Sequence, residues 1–374
     1  MLKVLGETNL AVGSIGQGTG FDFSKKVSTY KLVNLIRKGV DLGLNFIDTA
    51  ESYGEGLSEE IVGRAIHGIR KKAFIATKFA PEHSSYKDTL KVCDESLRRL
   101  GVDVIDLYQF HWPNPKVPLS ETLGALEYLR RVGKIRYIGL ANFLKKEIVE
   151  SKKLLKHTKI ISLQAEYNLF ERAIEQNGIL TYCGKNKISI IAYSPLDQGR
   201  ISTFNNRQKQ IINRLCKKYQ KTSVQIALAW LVSHKDVIAI PRTTNAAHLA
   251  ENAQVMSISL LQNEIAAVDK AFLAKLLYVP IDRIRVSLRG DKNSKVFYKT
   301  IDEAILNKLG FVPSPLELSG EIRKVGLLKP IRLVRNLKNK DYDYDLIGGR
   351  SRYWAWRIAY GYRRPIPAYV RENY

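Results

Sequence analysis

The chain has 374 residues, 45% hydrophobic and 26% charged, and its 60 lysines and arginines against 36 acids give a net charge of +24. That length predicts two domains, and the composition excludes disordered and fibrous classes. The positive field attracts phosphates, nucleotides, nucleic acid or anionic surfaces without choosing among them, and a merely solvated basic surface has the same composition.

No stretch approaches the roughly 20 apolar residues that a membrane span requires. The N-terminus, MLKVLGETNLAVG, has no basic segment leading into a long apolar core. Cys93, Cys183 and Cys216 lack metal-ligand spacing and are expected as reduced thiols. These features predict a cytoplasmic protein with no membrane partner and no metal.

From residue 13 onward, short β-branched runs alternate with amphipathic stretches. The predicted strands are 13–19, 45–50, 73–79, 104–111, 135–141, 160–166, 188–194 and 237–242. Between them lie helical patterns such as YKDTLKVCDESLRRL and LSETLGALEYLRRVGK, with apolar residues at helical spacing. Eight such units predict a (β/α)8 TIM barrel over residues 1–274. An open doubly wound sheet is the rival, but GSIGQGTG offers no third glycine before a helix and so no dinucleotide fingerprint.

A new pattern begins near residue 275, predicting a separate α+β domain over 275–374 with about 21 basic and 10 acidic residues. Its expected elements are a strand at 278–286, helical pieces at 300–309 and 315–325, and strands at 330–336 and 344–349. A helix at 350–361 and a strand at 366–372 follow. Gly348 and Gly349 fall between a strand and a helix N-terminus, where backbone N–H groups favour an anion. With Arg350 and Arg352 they form a candidate phosphate-binding turn. Tyr353, Trp354, Trp356, Tyr360 and Tyr362 suit base stacking, but the spacing of Tyr353, Trp356 and Tyr360 fits a packed helix face better.

In such a barrel the chemistry lies at the C-terminal strand ends. Asp48, Lys78 and His111 end three successive strands, and Tyr53 follows Asp48 in the same loop. These types suit carbonyl reduction, in which hydride addition leaves an alkoxide that must be protonated. Tyr53 is the candidate acid, Lys78 would make its proton easier to donate, Asp48 would hold Lys78, and His111 would orient the carbonyl. Each also has an ordinary use: a turn cap, a surface charge, a loop aromatic, a bonded histidine beside Trp112. Their convergence favours the catalytic reading. Phe21, Phe23 and Trp112 suit either a pocket lining or packing.

The segment NFIDTAESYGEGLSEEIVGRAI, followed in order by IATKF, DLYQFHWP, GLANF, QAEYN, AYSPL and IPRTTNAAHLAEN, resembles the aldo-keto reductases from Leu5 to about Phe272. The resemblance implies an oxidoreductase of class EC 1.1.1.- using NADPH or NADH on a small carbonyl substrate. It assigns Asn142 and Gln164 to the nicotinamide carboxamide, Tyr193 to stacking on its ring, and Ser194 and Leu196 to the pyrophosphate region. Arg242, Thr243, Glu251 and Asn252 would hold the adenosine end, and Gly18 and Thr19 are further candidate cofactor contacts. Ala141 replaces the usual serine before Asn142. His248 replaces an arginine common in NADPH users, leaving NADH open, and the segment LDQGRISTFNNRQ is short, predicting a looser cofactor clamp.

The order VPID, a helix, GLLKPI, YDLIGGRSRYWA and IPAYV is similar to the ParB/sulfiredoxin-like superfamily over about 277–371. This implies phosphate contacts at Gly349, Arg350 and Arg352, with ATP, ADP or CTP as candidate nucleotides. The module has no cysteine for sulfiredoxin chemistry, no following helix-turn-helix, and no acid in IGGRSR, which favours binding over phosphoryl transfer. The leading expectation is a fusion of a reductase with a nucleotide-binding or phosphate-binding module. A bifunctional reductase and kinase using Asp302, Glu317 or Glu321 is one alternative. A nucleic-acid or nucleotide binder with a redox-sensing barrel is the other, and nucleic acid is the less favoured partner.

Overall fold

The computed structural model describes the chain except residues 25–26, 198, 200–203, 274, 287–297, 312, 327–328, 337–340 and 372–374. Two compact units result, one of Met1–Thr203 with Gln210–Ala271 and one of Phe204–Lys209 with Phe272–Tyr374.

The first unit opens with an antiparallel hairpin, β1 (Leu2–Val4) and β2 (Ala11–Gly13). Eight parallel strands follow: β3 (Gln17–Gly18), β4 (Phe46–Asp48), β5 (Phe74–Phe79), β6 (Ile105–Phe110), β7 (Ile135–Ala141), β8 (Ile160–Glu166), β9 (Ser189–Tyr193) and β10 (Val237–Ala239). They pair in sequence order, and a parallel bridge between Ile15 and Ala239 closes the ring. The first expected strand, 13–19, is therefore divided. Gly13 belongs to the hairpin, while Ser14 and Gly16 bond Ala239 at 3.0 and 2.8 Å to close the barrel.

Helices cover the strands because their apolar stripes face inward. Tyr86–Leu100 starts at Ser85, whose hydroxyl accepts the Asp88 N–H, and stops at Gly101 in the left-handed region, φ 61°. Val92, Cys93, Ser96 and Leu100 form its buried stripe. All three cysteines are free, and burial pushes the Cys93 and Cys183 thiols up to about 12, so both stay protonated.

Strand periodicity builds the site. Phe46, Phe74, Ala76 and Leu107 belong to the barrel's inner core together with Leu5 and Val12 of the hairpin region. Two residues further along each strand, on the same face, stand Asp48, Lys78 and Gln109.

The second unit is a mixed five-stranded sheet in the order β11 (Lys275–Val279), β15 (Ile366–Arg371), β13 (Ile331–Arg335), β14 (Tyr344–Gly348), β12 (Ile284–Arg285). The expected strand at 278–286 is two strands on opposite edges, parted by Pro280 and a short 3-10 turn over Ile281–Arg283. Pro280 cannot donate to a ladder, which breaks the strand there. Helices Pro315–Val325 and Arg350–Tyr360 pack with the sheet, and Tyr353, Trp354 and Trp356 are buried in its core. Those three rings are thus packing residues, which overturns stacking for them. Only Tyr362 of the five is exposed, at 60%.

Gly63 marks a tight helix crossing: a Cβ there would lie 2.6 Å from the Leu100 carbonyl oxygen. Gly63→Leu should destabilise the barrel by about 1–3 kcal/mol through overpacking. Calorimetric unfolding that leaves the barrel transition unshifted would contradict this packing.

Candidate active site

Lys78 is fully buried, and its Nζ donates to Asp48 Oδ2 at 2.8 Å, to the Thr49 carbonyl at 2.6 Å and to Tyr53 Oη at 3.4 Å. Its ammonium also lies 4.9 Å from the Tyr53 ring centroid. Burial works to discharge Lys78, but Asp48 and Tyr53 outweigh it and hold the pKa above its ordinary value. Lys78 therefore stays cationic.

Burial pushes the Tyr53 phenol up, Lys78 pulls it down, Asp48 raises it further, and the net direction is upward. The pull expected of Lys78 is present but smaller than desolvation, so Tyr53 carries its proton at neutral pH. His111 follows β6, with its ring centroid 6.0 Å from that of Tyr53 in an edge arrangement. Burial, aided by the Lys78 charge, pushes its imidazole down to about 3, leaving it neutral.

A second group joins this one. Gln164 Nε2 donates to Asp48 Oδ1 at 2.7 Å, and Asn142 Nδ2 donates to the His111 carbonyl at 3.1 Å. Tyr193 Oη donates to Asn142 Oδ1 at 2.9 Å. Asn142 and Ser194 hold the left-handed region at φ 64° and 47°, a local cost that concentrates at functional sites. The Ser194 carbonyl is held by Asn168 Nδ2 at 3.0 Å. Leu196 is half-buried, and much of the short segment after it lies outside the described residues.

Arg242 is exposed, and its guanidinium donates to the Gly20 carbonyl. Thr243 leads into the helix Ala246–Gln254, where Asn245 caps the N–H groups of Ala247 and His248. His248 is exposed, Glu251 is half-buried and Asn252 is buried. Gly18 pairs with Asp48 across β3 and β4. Thr19 follows Gly18 at the end of β3. It is fully buried and its hydroxyl donates to the Asp48 carbonyl at 2.9 Å, so its side chain braces the strand end.

Two features lay outside the sequence expectation. Gln109 is buried beside the ion pair, its amide nitrogen 3.5 Å from Asp48 Oδ1. A polar residue two positions before His111, in an otherwise apolar strand, was the available signal. Glu51, between Asp48 and Tyr53, accepts from the Ala80 N–H at 2.6 Å and meets His83 Nδ1 at 2.8 Å. Phe23 packs against Gly54, and Phe21 and Phe23 stand edge to face at 6.2 Å. Trp112 is 46% exposed.

The sequence profile described as "Aldo/keto reductase family" matches residues 10–272. The chain belongs to the aldo/keto reductase family. It is 34% identical over 277 residues to methylglyoxal reductase YeaE of Escherichia coli (strain K12), spanning 73% of this chain and 95% of that protein. To aldo-keto reductase YhdN of Bacillus subtilis (strain 168) it is 36% identical over 217 residues, 53% of this chain and 62% of the relative. Among solved structures it is similar to the thermostable aldo-keto reductase Tm1743, at 36% identity and a TM-score of 0.68, covering 72% of this chain and 99% of that one. An aldo/keto reductase from Klebsiella pneumoniae, solved with NADP and acetate, matches at 34% identity and a TM-score of 0.65, covering 72% and 95%. Each of these matches covers about three quarters of the chain or less. The family assignment therefore concerns the barrel, and the C-terminal sheet domain has no family assigned to it.

In the second unit, Gly349 caps the helix Arg350–Tyr360 at φ 87°, and a Cβ on Gly348 would strike the Arg332 guanidinium. Arg352, expected at a phosphate, donates from Nη1 to the Lys329 and Pro330 carbonyls at 2.5 and 2.8 Å, tying the first helical turn to the approach to β13. Glu317 completes a capping box with Ser314, Asp302 lies in the first turn of Ile301–Ile305, and Glu321 meets Lys324 at 3.6 Å. All three acids thus stand on helices.

The His111 shift has a signed consequence. The folded state disfavours the protonated ring, so its contribution to stability is complete above the ordinary value of 6.5 and is lost as pH falls toward about 3. The loss should run at about 1.4 kcal/mol per pH unit. NMR titration should find the ring neutral at pH about 5; protonation near its ordinary value would contradict the geometry.

Proposed function

We propose that the barrel, residues 1–274, reduces small reactive carbonyls of the methylglyoxal type with NADPH. The carrying observation is the buried Lys78–Asp48 pair set against a protonated Tyr53. The methylglyoxal reductase named above supports the substrate class. The Klebsiella pneumoniae structures, in complex with NADP and NADPH, support the cofactor.

The residues present fit that cofactor chemically. Two amides, Asn142 and Gln164, adjoin Tyr193, while exposed Arg242 stands ahead of a helix N-terminus. Amides match a carboxamide, a phenol ring matches a nicotinamide face, and a guanidinium with helix N–H groups matches phosphates. When bound, the cofactor supplies the hydride.

In this reading Gln164 keeps its amide nitrogen on Asp48, which directs its oxygen to the carboxamide. Neutral His111 donates a hydrogen bond to the substrate carbonyl without adding a charge that would compete with Lys78. Tyr53 delivers its proton to the developing alkoxide, and the phenolate left behind is stabilised by Lys78. Asp48 prevents Lys78 from losing its charge in the dry interior. Ser194, Leu196, Thr243, Glu251 and Asn252 line the path assigned to the rest of the cofactor, with Gly18 at its edge. The domain at 275–374 is read as ParB/sulfiredoxin-like, binding a phosphorylated ligand such as ATP, ADP or CTP at Gly348, Gly349 and Arg350. Its left-handed Gly349 cap supports that reading.

Tyr53→Phe should lower kcat for methylglyoxal by about 10²- to 10⁴-fold with NADPH affinity retained. NADPH oxidation that is absent in both proteins, or equal in both, would sink the assignment. Arg242→Met should weaken NADPH about ten-fold or more and NADH much less, because only NADPH carries the 2′-phosphate. Equal losses in fluorescence titrations would remove Arg242 from that role.

A further inference from the structure

We infer that the C-terminal unit presents a surface for single-stranded nucleic acid at the C-terminal end of the helix Arg350–Tyr360 and the turn after it. The Arg357 guanidinium lies 4.4 Å from the Tyr362 ring centroid and donates to its hydroxyl at 2.5 Å. Arg364 lies 4.6 Å from the Tyr360 ring centroid, and the Arg364 carbonyl accepts from Trp356 Nε1 at 3.1 Å, which fixes the turn on the core. Arg323 reaches over from Pro315–Val325 to donate to the Ile358 carbonyl at 3.1 Å. Arg363 stands exposed between Tyr362 and Arg364.

Among the described residues, none of the salt bridges Arg283–Asp343, Arg285–Asp345 and Lys324–Glu321 involves Arg323, Arg357, Arg363 or Arg364. Cations near a helix C-terminus answer the helix dipole, which accounts for Arg323 and Arg357. It does not account for Arg363 and Arg364 beyond the helix, nor for a tyrosine left 60% exposed while an arginine fixes its ring.

Phosphates satisfy guanidinium groups that no carboxylate engages, and a base with a free face satisfies an exposed ring. An unpaired strand offers several phosphates and unstacked bases along one surface, whereas duplex bases are already stacked. The proposed surface lies at the opposite end of this helix from Gly349.

The test uses the full chain, a fluorescently labelled oligouridylate of about a dozen nucleotides, and anisotropy across a salt series. Binding should be tight at low salt and weaken as salt rises. Arg363→Gln combined with Arg364→Gln should reduce the salt slope by about 1.4, since each phosphate contact in a single strand contributes about 0.7. Tyr362→Ala should weaken binding about five-fold or more at fixed salt. Both variants should keep the wild-type circular dichroism and NADPH turnover. The inference is overturned by no binding at low salt, or by variants that bind as wild type does. Duplex DNA or phosphatidylserine vesicles bound as tightly as the oligonucleotide, with no dependence on Tyr362, would also overturn it.

Discussion

One fully buried ammonium organises the barrel's chemistry. A lysine at the bottom of a protein pocket loses its hydration and would shed its proton unless an anion and polar atoms replace that water. Here the replacement comes from one neighbouring strand and the loop after it: Asp48 at the end of β4, the Thr49 carbonyl beside it, and the Tyr53 hydroxyl. The strands must be neighbours in register for this to occur, and Ala76 pairs with Asp48 across β4 and β5. The pairing of β4 with β5 and the charge state of Lys78 are thus one condition seen from two sides.

The amide groups extend that condition outward. Gln164 reaches Asp48 from β8, across the barrel from β4, and Asn142 links the His111 backbone to Tyr193. The residues expected to touch a nicotinamide are therefore already bonded to those expected to move the proton. Binding and chemistry share a hydrogen-bonded framework, so a change in one amide is felt at the ion pair.

What could be seen in the sequence follows the range of the physics. Strand ends were legible because alternation is local: Asp48, Lys78 and His111 each close an apolar run. The hairpin at Leu2–Val4 and Ala11–Gly13 was not legible, because its strands have three residues each and its role is set by packing on distant strands. The bond from the Thr19 hydroxyl to the Asp48 carbonyl is of the same kind, since it forms only once β3 and β4 have paired. In the second unit the helix and most strands followed from pattern, as do the contacts of Glu317 and Glu321 with residues three places away, but Arg352 found carbonyl partners that only the fold supplies.

The two sheets also differ in the order in which they can be assembled. Barrel strands pair with their immediate successors, so each finds its partner soon after synthesis. In the second unit β15 follows every other strand in sequence, yet it sits between β11 and β13. Until residues near 366–371 have left the ribosome, β11 has no neighbour, and the ladder holding the β13 edge is missing. This unit must therefore complete its sheet after translation has passed it, by inserting a strand into an interior position. Contacts of long sequence separation slow that step and leave unpaired edges exposed while it is pending.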